Sequence, residues 1–294
     1  MKQKKSHLKQ NHHGYLFILP CLLLILVVLV VPVTNGIMKS FTNENLMTLQ
    51  PTKAIGLANY GKLLKDPSFL KALQKSVVWT LIILVSELVI GMFFALLLNG
   101  KTFLNKLFRI LILIPWIIPN AIAGIIWKWF LNESYGMMNF ILKNIGIIQT
   151  NLPWLSNSQL AEFSMILVIT WKSIPFVAIT LLAGLQSIPT TLYEAAEVDG
   201  AGMFVRFRHI TLPMLNKILV ITGILTSIWN FNQIEIIQVI TRGGPGEATL
   251  TLPIYIYRLF MLTFQTGYAS AAAVVMMAVL IVPTIIYVRK ILKD

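Results

Sequence analysis

Glu194-Ala195-Ala196-Glu197-Val198-Asp199-Gly200, running on to Ile210-Thr211-Leu212-Pro213, is a short polar stretch set between two long apolar runs. In front of it stand Ser187, a helix-capping residue, and Pro189, which fits a first helical turn. Behind it Gly200 suits the left-handed position that ends a helix. The stretch predicts a helix over 190–199, a turn, and a second short helix from about Met203 to Pro213. On the first helix Leu192, Ala195, Ala196 and Asp199 share one side, and Glu194, Glu197 and Val198 another. The alanines allow a neighbouring helix to approach closely, and the glutamates offer acceptors to arginines or backbone N–H groups. In a chain otherwise built for lipid, such a segment asks for a soluble partner.

That the rest is built for lipid follows from composition. Of 294 residues, 56% are apolar and 12% charged, against about 45–50% and about 25% in soluble domains. The net charge of +13 does not form one face or stripe, so it does not read as a nucleic-acid surface. The basic residues lie mostly beside apolar runs, as topology determinants do. Cys21 is the single cysteine, which excludes an internal disulfide and a cysteine-based metal cluster.

Six segments are long enough to cross about 30 Å of hydrocarbon as helices: Tyr15–Val33, Val77–Leu98, Ile110–Leu131, Ala161–Gly184, Lys217–Ile240 and Tyr268–Arg289. The chain thus divides into a basic cytoplasmic tail over 1–14 and a six-span transmembrane domain over 15–294. Leu19-Pro20-Cys21 is a poor lipoprotein site and Val31-Pro32-Val33-Thr34-Asn35 a poor cleavage site, so the first segment reads as an uncleaved span. With both termini in the cytoplasm, the inner side holds Lys2, Lys4, Lys5, Lys9, Lys101, Lys106, Arg109, Arg206, Arg208, Lys217, Arg289, Lys290 and Lys293. The outer loop 34–76 carries Lys39, Lys53, Lys62, Lys65, Lys71 and Lys75 at lower density. There Asp66-Pro67 marks a helix start, with Phe69, Leu70 and Leu73 forming a short interfacial helix before segment two.

The spacing E-A-A, three residues, Gly, nine residues, I-x-L-P over Glu194–Pro213 resembles the signature loop of permease subunits in binding-protein-dependent ABC importers. Gly56-Leu57-x-Asn59-Tyr60 with Asp66-Pro67-x-Phe69, Pro115-Trp116-Ile117-Ile118-Pro119 with Trp127, Gly136 and Asn139, and Ile240-Thr241-x-Gly243-Gly244-Pro245 with Tyr255-Ile256-Tyr257 extend the resemblance through most of the chain. In this order they are similar to the carbohydrate-uptake group, on the side of the first of its two permeases, the maltose and glycerol-phosphate type. Ile234-Glu235 departs from the phenylalanine–aspartate of many relatives.

The resemblance implies an all-α, type I ABC importer permease fold in which loop 185–213 docks a cytoplasmic ATPase. Glu194, Ala195, Ala196, Asp199, Gly200, Ile210, Leu212 and Pro213 are the docking residues it implies. It also implies a second permease subunit forming a heterodimer, two cytoplasmic ATP-binding subunits that hold ATP and magnesium, and an extracytoplasmic solute-binding protein. The chain itself would need no cofactor and no metal, and would be no enzyme. Cargoes implied are a carbohydrate or, alternatively, a glycerol phosphodiester or another small polar solute.

Glu87, Lys172 and Glu235 are the ionisable residues inside the spans. A charge at a helix centre costs about 2.5–3.5 kcal/mol on insertion scales, so each should face protein, water or a partner. Asn230, Asn232, Gln233 and Glu235 make the most polar stretch of any span. They are candidates for the translocation path, where amides and aromatics suit sugar hydroxyls and ring faces, or else for hydrogen bonding to the sister permease. Lys172 after Trp171 and Lys128 between Trp127 and Trp129 read as snorkelling interfacial anchors.

Asn99-Gly100-Lys101-Thr102 mimics the end of a phosphate loop, but Ala95 stands where its first glycine belongs and a membrane helix precedes it. His7, His12, His13 and His209 form no metal-ligand pattern. A stand-alone secondary transporter, the rival class, would show internal repeats, broken helices and coupled intramembrane charges. Here the charges are sparse and scattered.

Overall fold

A computed structural model of the chain describes residues 6–48, 51–100 and 103–291. Lys2, Lys4, Lys5, Lys101 and Lys293, part of the basic pattern above, lie outside them. The described residues form helices, with an isolated bridge pairing Thr42 and Ala54. Four helical runs among them are long and apolar enough to cross a membrane: Phe17–Ser40, Pro67–Leu98, Ser158–Gln186 and Met203–Ile240. A bent pair, Leu104–Ile117 with Asn120–Phe130, makes a fifth if counted as one span. Helix Thr266–Ile291, 26 residues long, covers the last expected segment.

Two compact units are present, Pro67–Tyr255 and Met1–Asp66 with Ile256–Asp294. In the second, helix Ser6–Ile25 runs through a π-helical turn, Leu26–Val30, into Val31–Ser40. Backbone helix therefore reaches back to Ser6, nine residues before the expected start of the first span. Val27, Val28 and Leu29 are exposed, as on a helix that faces lipid, and so is Cys21. Helix 31–40 packs on helix 266–291. The Gly56-Leu57-x-Asn59-Tyr60 motif closes the end of helix 31–40. Buried Asn59 donates to the Ser40 and Thr42 carbonyls at 2.9 and 2.8 Å, and the Tyr60 hydroxyl lies 2.7 Å from Ser40 Oγ. Carbonyls that a helix end leaves without partners are thereby satisfied.

Unit 67–255 is centred on helix Pro67–Leu98 lying along Ser158–Gln186. The expected short interfacial helix is not separate; from Pro67 the chain runs as one helix of 32 residues. A Cβ on Gly91 would stand 2.6 Å from Val177 Cγ1. Only glycine lets these backbones approach so closely, the small-residue device of membrane interfaces. Asn157 begins the partner helix, its side chain accepting from the Gln159 and Leu160 N–H groups at 3.0 and 3.1 Å. Met92, Ala95, Leu181, Leu185 and Leu215 form the buried cluster at one end of this unit.

The third expected span is not straight. Its two halves meet at 93°. Pro119 has no N–H to continue the ladder, and Ile118 before it takes the extended conformation (φ −60°, ψ 128°) that precedes proline. The fifth is interrupted as well: helix Leu212–Phe231 stops at Asn232, and a new helix runs from Glu235 to Ile240. Outside the spans, buried Asn139 uses all its capacity. It donates to the Glu133 and Leu152 carbonyls and accepts from the Leu152 N–H and Trp154 Nε1, all at 2.9–3.1 Å.

Candidate functional site

The signature stretch forms a helix, Thr190–Val198, capped at its end by Asp199. Gly200 follows with φ +75°. Its N–H donates to the Glu197 carbonyl at 3.0 Å and the Ala201 N–H to the Ala196 carbonyl at 2.8 Å, the paired bonds of a Schellman turn. The start differs from expectation. Ser187 Oγ bonds back to the Gly184 carbonyl at 2.7 Å, finishing helix 158–186, and Pro189 stands at the cap position of helix 190–198 without a side-chain bond. Pro213 does not end a helix either. Helix Met203–Arg206 continues through a π-helical turn, Phe207–Thr211, into Leu212–Phe231, with Pro213 in its first positions. A π-turn shifts the hydrogen-bond register, so a proline's missing N–H is tolerated there.

Glu194, Ala195, Asp199, Gly200 and Pro213 are exposed, while Ala196, Ile210 and Leu212 are half-buried. Val198, Met203 and Phe204 add apolar side chains that are 89%, 82% and 73% exposed. One face of this loop therefore stands open. Its other face is fastened to the unit: Tyr193, Phe207 and Ile210 pack on the Met92–Leu215 cluster. Arg206 donates to Glu197 at 3.0 Å across the turn.

Toward the other end of helix 212–231 lies a cavity of about 350 Å³. Its walls carry an aromatic series in which Trp116 stacks on Phe176 (6.1 Å between centroids, 26°) and Phe176 meets Trp229 edge-on (4.8 Å). Asn120, Lys172, Ser173, Thr226, Asn230 and Gln233 are polar groups on the same walls. Asn230 Nδ2 donates to buried Glu87 Oε2 at 3.1 Å, and Ser173 Oγ donates to Asn230 Oδ1 at 3.3 Å.

Of the four candidate path residues, the cavity brings together Asn230 and Gln233. Asn232 turns back to the Ile228 carbonyl at 2.7 Å, and Glu235 is exposed and accepts from Asn120 Nδ2, where the second half of the bent span begins. Lys172 is not a snorkelling anchor. Its ammonium reaches the carbonyls of Pro115 (2.8 Å), Trp116 (2.9 Å) and Ile118, the end of the first half of that span. Helix C-termini favour cations and leave carbonyls without partners. The break at Pro119 therefore supplies what Lys172 satisfies. Lys128 donates to the Val239 carbonyl at 3.4 Å. Trp116, Asn120, Ser173, Phe176 and Trp229 were not singled out for this wall from sequence, since only the folding of the bent span brings them together. Among the described residues no group of three or more His, Cys, Asp or Glu is placed to hold a metal.

The fold and this arrangement are those of a membrane permease domain, and the chain belongs to the family of binding-protein-dependent transport system inner membrane components, whose pattern matches residues 87–293. It is 37% identical to the sulfoquinovosyl glycerol transport system permease protein SmoG of Agrobacterium fabrum, over 93% of this chain and 88% of that one. It is 36% identical to the trehalose/maltose transport system permease protein MalF of Thermococcus litoralis, over 94% of this chain and 92% of that one. Its fold is similar to a chain in the crystal structure of a bacterial alginate ABC transporter in complex with an alginate pentasaccharide-bound periplasmic protein. The TM-score is 0.83 at 22% identity, covering 97% of this chain and 96% of that one.

Proposed function

We propose that this chain is the carbohydrate permease subunit of an ABC importer in a bacterial plasma membrane, crossing it six times with both termini in the cytoplasm. Helix 266–291 would be the sixth span and the bent pair 104–130 the third. The observation that carries the reading is the cavity at Asn230. Amide and hydroxyl groups stand there beside three aromatic faces, the mixture a sugar's hydroxyls and ring faces call for. The names of relatives, a sulfoquinovosyl glycerol permease and a trehalose/maltose permease, support a saccharide or glycoside as cargo.

The mechanism in this reading is alternating access. A second permease completes the path, an extracytoplasmic solute-binding protein delivers cargo, and two ATP-binding subunits hold ATP and magnesium. Helix 190–198 takes up the ATPase motion through Glu194, Ala195, Asp199 and Gly200. Tyr193 and Ile210 transmit it to the core around Leu215. Leu212 and Asn230 lie on one helix, about 27 Å apart at 1.5 Å per residue. A displacement at its base thus reaches the cavity wall as rigid-body motion.

A broken span also occurs in secondary transporters, but here the break is held by Lys172 within a chain whose family works with binding proteins. The test is co-purification followed by reconstitution. Tagged chain should bring down an ATP-hydrolysing subunit, and proteoliposomes should take up labelled disaccharide only with ATP and a binding protein. Uptake driven by an ion gradient without ATP would sink the reading. Reporters fused at Gly200 should be cytoplasmic, and those at Lys53, Asn144 and Glu247 external.

A further inference from the structure

We infer that Glu87 is a positioning residue that fixes the polarity of the Asn230 amide at the cavity wall, and so makes Asn230 an acceptor for a hydroxyl of the cargo. The inference rests on the proposed role of the cavity and deepens it. Glu87 lies on helix 67–98, fully buried and absent from the cavity lining. One of its oxygens accepts from Asn230 Nδ2 at 3.1 Å, and the other has no hydrogen-bond partner among the described residues. Thr226 and Ser173 hydroxyls stand beside the same carboxyl. No cation pairs with it among the described residues. An acidic residue inside a span is expensive to keep, which argues for a task beyond packing.

The task follows from donor and acceptor inventory. The task requires Glu87 in its ionised form, which accepts and does not donate, whereas an amide has a donor end and an acceptor end. Facing that carboxylate, Asn230 presents its NH2, and its carbonyl oxygen is turned the other way, toward Ser173. Ser173 donates to that oxygen at 3.3 Å, which leaves a second lone pair open. Ser173, Thr226 and Asn230 all line the cavity. The wall at this point therefore accepts from a hydroxyl donor and rejects a group that can only accept. A glutamine at position 87 offers both ends, so the Asn230 amide is free to turn over and the discrimination is lost.

The experiment uses the reconstituted complex with its partner permease, ATPase and binding protein, and a disaccharide with its panel of single-deoxyfluoro analogues, in which fluorine replaces one hydroxyl and can accept but not donate. Glu87→Gln should assemble normally and raise the KM for uptake about tenfold, the weight of one oriented hydrogen bond. It should also narrow the gap between the parent sugar and one fluoro analogue, the same analogue for which Asn230→Ala narrows it. The swap Glu87→Gln with Asn230→Asp keeps the charge and again leaves an acceptor facing the cavity, and it should restore both KM and discrimination. Unchanged KM and discrimination in Glu87→Gln, alongside altered values in Asn230→Ala, overturn the role of Glu87 alone. Loss of assembly in Glu87→Gln that the swap does not repair overturns it in favour of a packing contact. Wild-type transport by Asn230→Ala overturns the cavity as the path, and this inference with it.

Discussion

Tyr193 Oη and Thr211 Oγ1 lie 2.9 Å apart, joining the exposed helix 190–198 to the base of the long helix that begins at Leu212. Thr211 is buried, and the Tyr193 ring packs on the cluster around Leu215. The pair is thus a short mechanical path from the loop into the unit that holds the cavity.

Removing either hydroxyl should weaken that path. Tyr193→Phe and Thr211→Val are each expected to cost about 0.5–1.5 kcal/mol, the net worth of one hydrogen bond. Because they act on one bond, the double variant should cost no more than the worse single one. Thermal melting of the purified complex measures this, and uptake per ATP hydrolysed measures its effect on coupling. Additive losses would mean the two residues act independently.

Gly200 tests the turn itself. At φ +75° a side chain with a Cβ costs roughly 1–2 kcal/mol. Among the described residues, its chain neighbours aside, nothing lies within 4 Å of where that Cβ would be, so the penalty is backbone strain and not a clash. Gly200→Val is expected to insert and assemble its spans, yet to lose most binding-protein-stimulated ATP hydrolysis. Full stimulation in this variant and in Glu194→Lys would remove the loop from the mechanism.

Lys172→Met leaves the carbonyls at Pro115, Trp116 and Ile118 without their cation. Hydrogen bonds to charged groups are worth about 1.5–3 kcal/mol each, so the bend should loosen before the rest of the unit. Hydrogen exchange is expected to quicken at residues 114–120 and uptake to fall at least tenfold, with Lys172→Arg intermediate. Unchanged exchange there would show that Pro119 sets the bend without help.

Acid should weaken the loop around Glu44. The Lys39 hydrogen bond holds its carboxyl below the ordinary carboxylate range, with a bond from Thr266 acting the same way against some desolvation. A depressed carboxyl contributes stability that is present above its unfolded value and lost as pH falls through its folded value. Glu44→Gln should therefore lower Tm at neutral pH, and the gap from the parent should close as pH drops below about 4. A gap independent of pH would assign the effect to the Thr266 contact alone.

Local chemistry made much of this legible in advance. A glycine suited to positive φ announced where helix 190–198 ends, because that signal acts over a few residues, whereas the capping role expected of Ser187 did not hold. Apolar length announced most of the long helices for the same reason. What local signals missed were interruptions whose consequences are spatial. Pro115 and Pro119 were visible in the sequence, but a 93° bend depends on partners that receive the freed carbonyls.

The sequence by itself determined that this chain is helical, lipid-solvated and punctuated by one polar helix–Gly–helix loop, since hydrophobic length, charge placement and turn chemistry are properties of neighbouring residues. Only the tertiary structure decided which polar residues share a wall. Asn230 and Gln233 meet Trp116, Lys172 and Ser173 there, while Asn232, from the same stretch, bonds back to its own helix and Glu235, exposed, touches the wall residue Asn120 without lining the cavity. The reason is that a helix turns 100° per residue and breaks at Asn232. Adjacent polar residues therefore face different neighbours, and only packing says which.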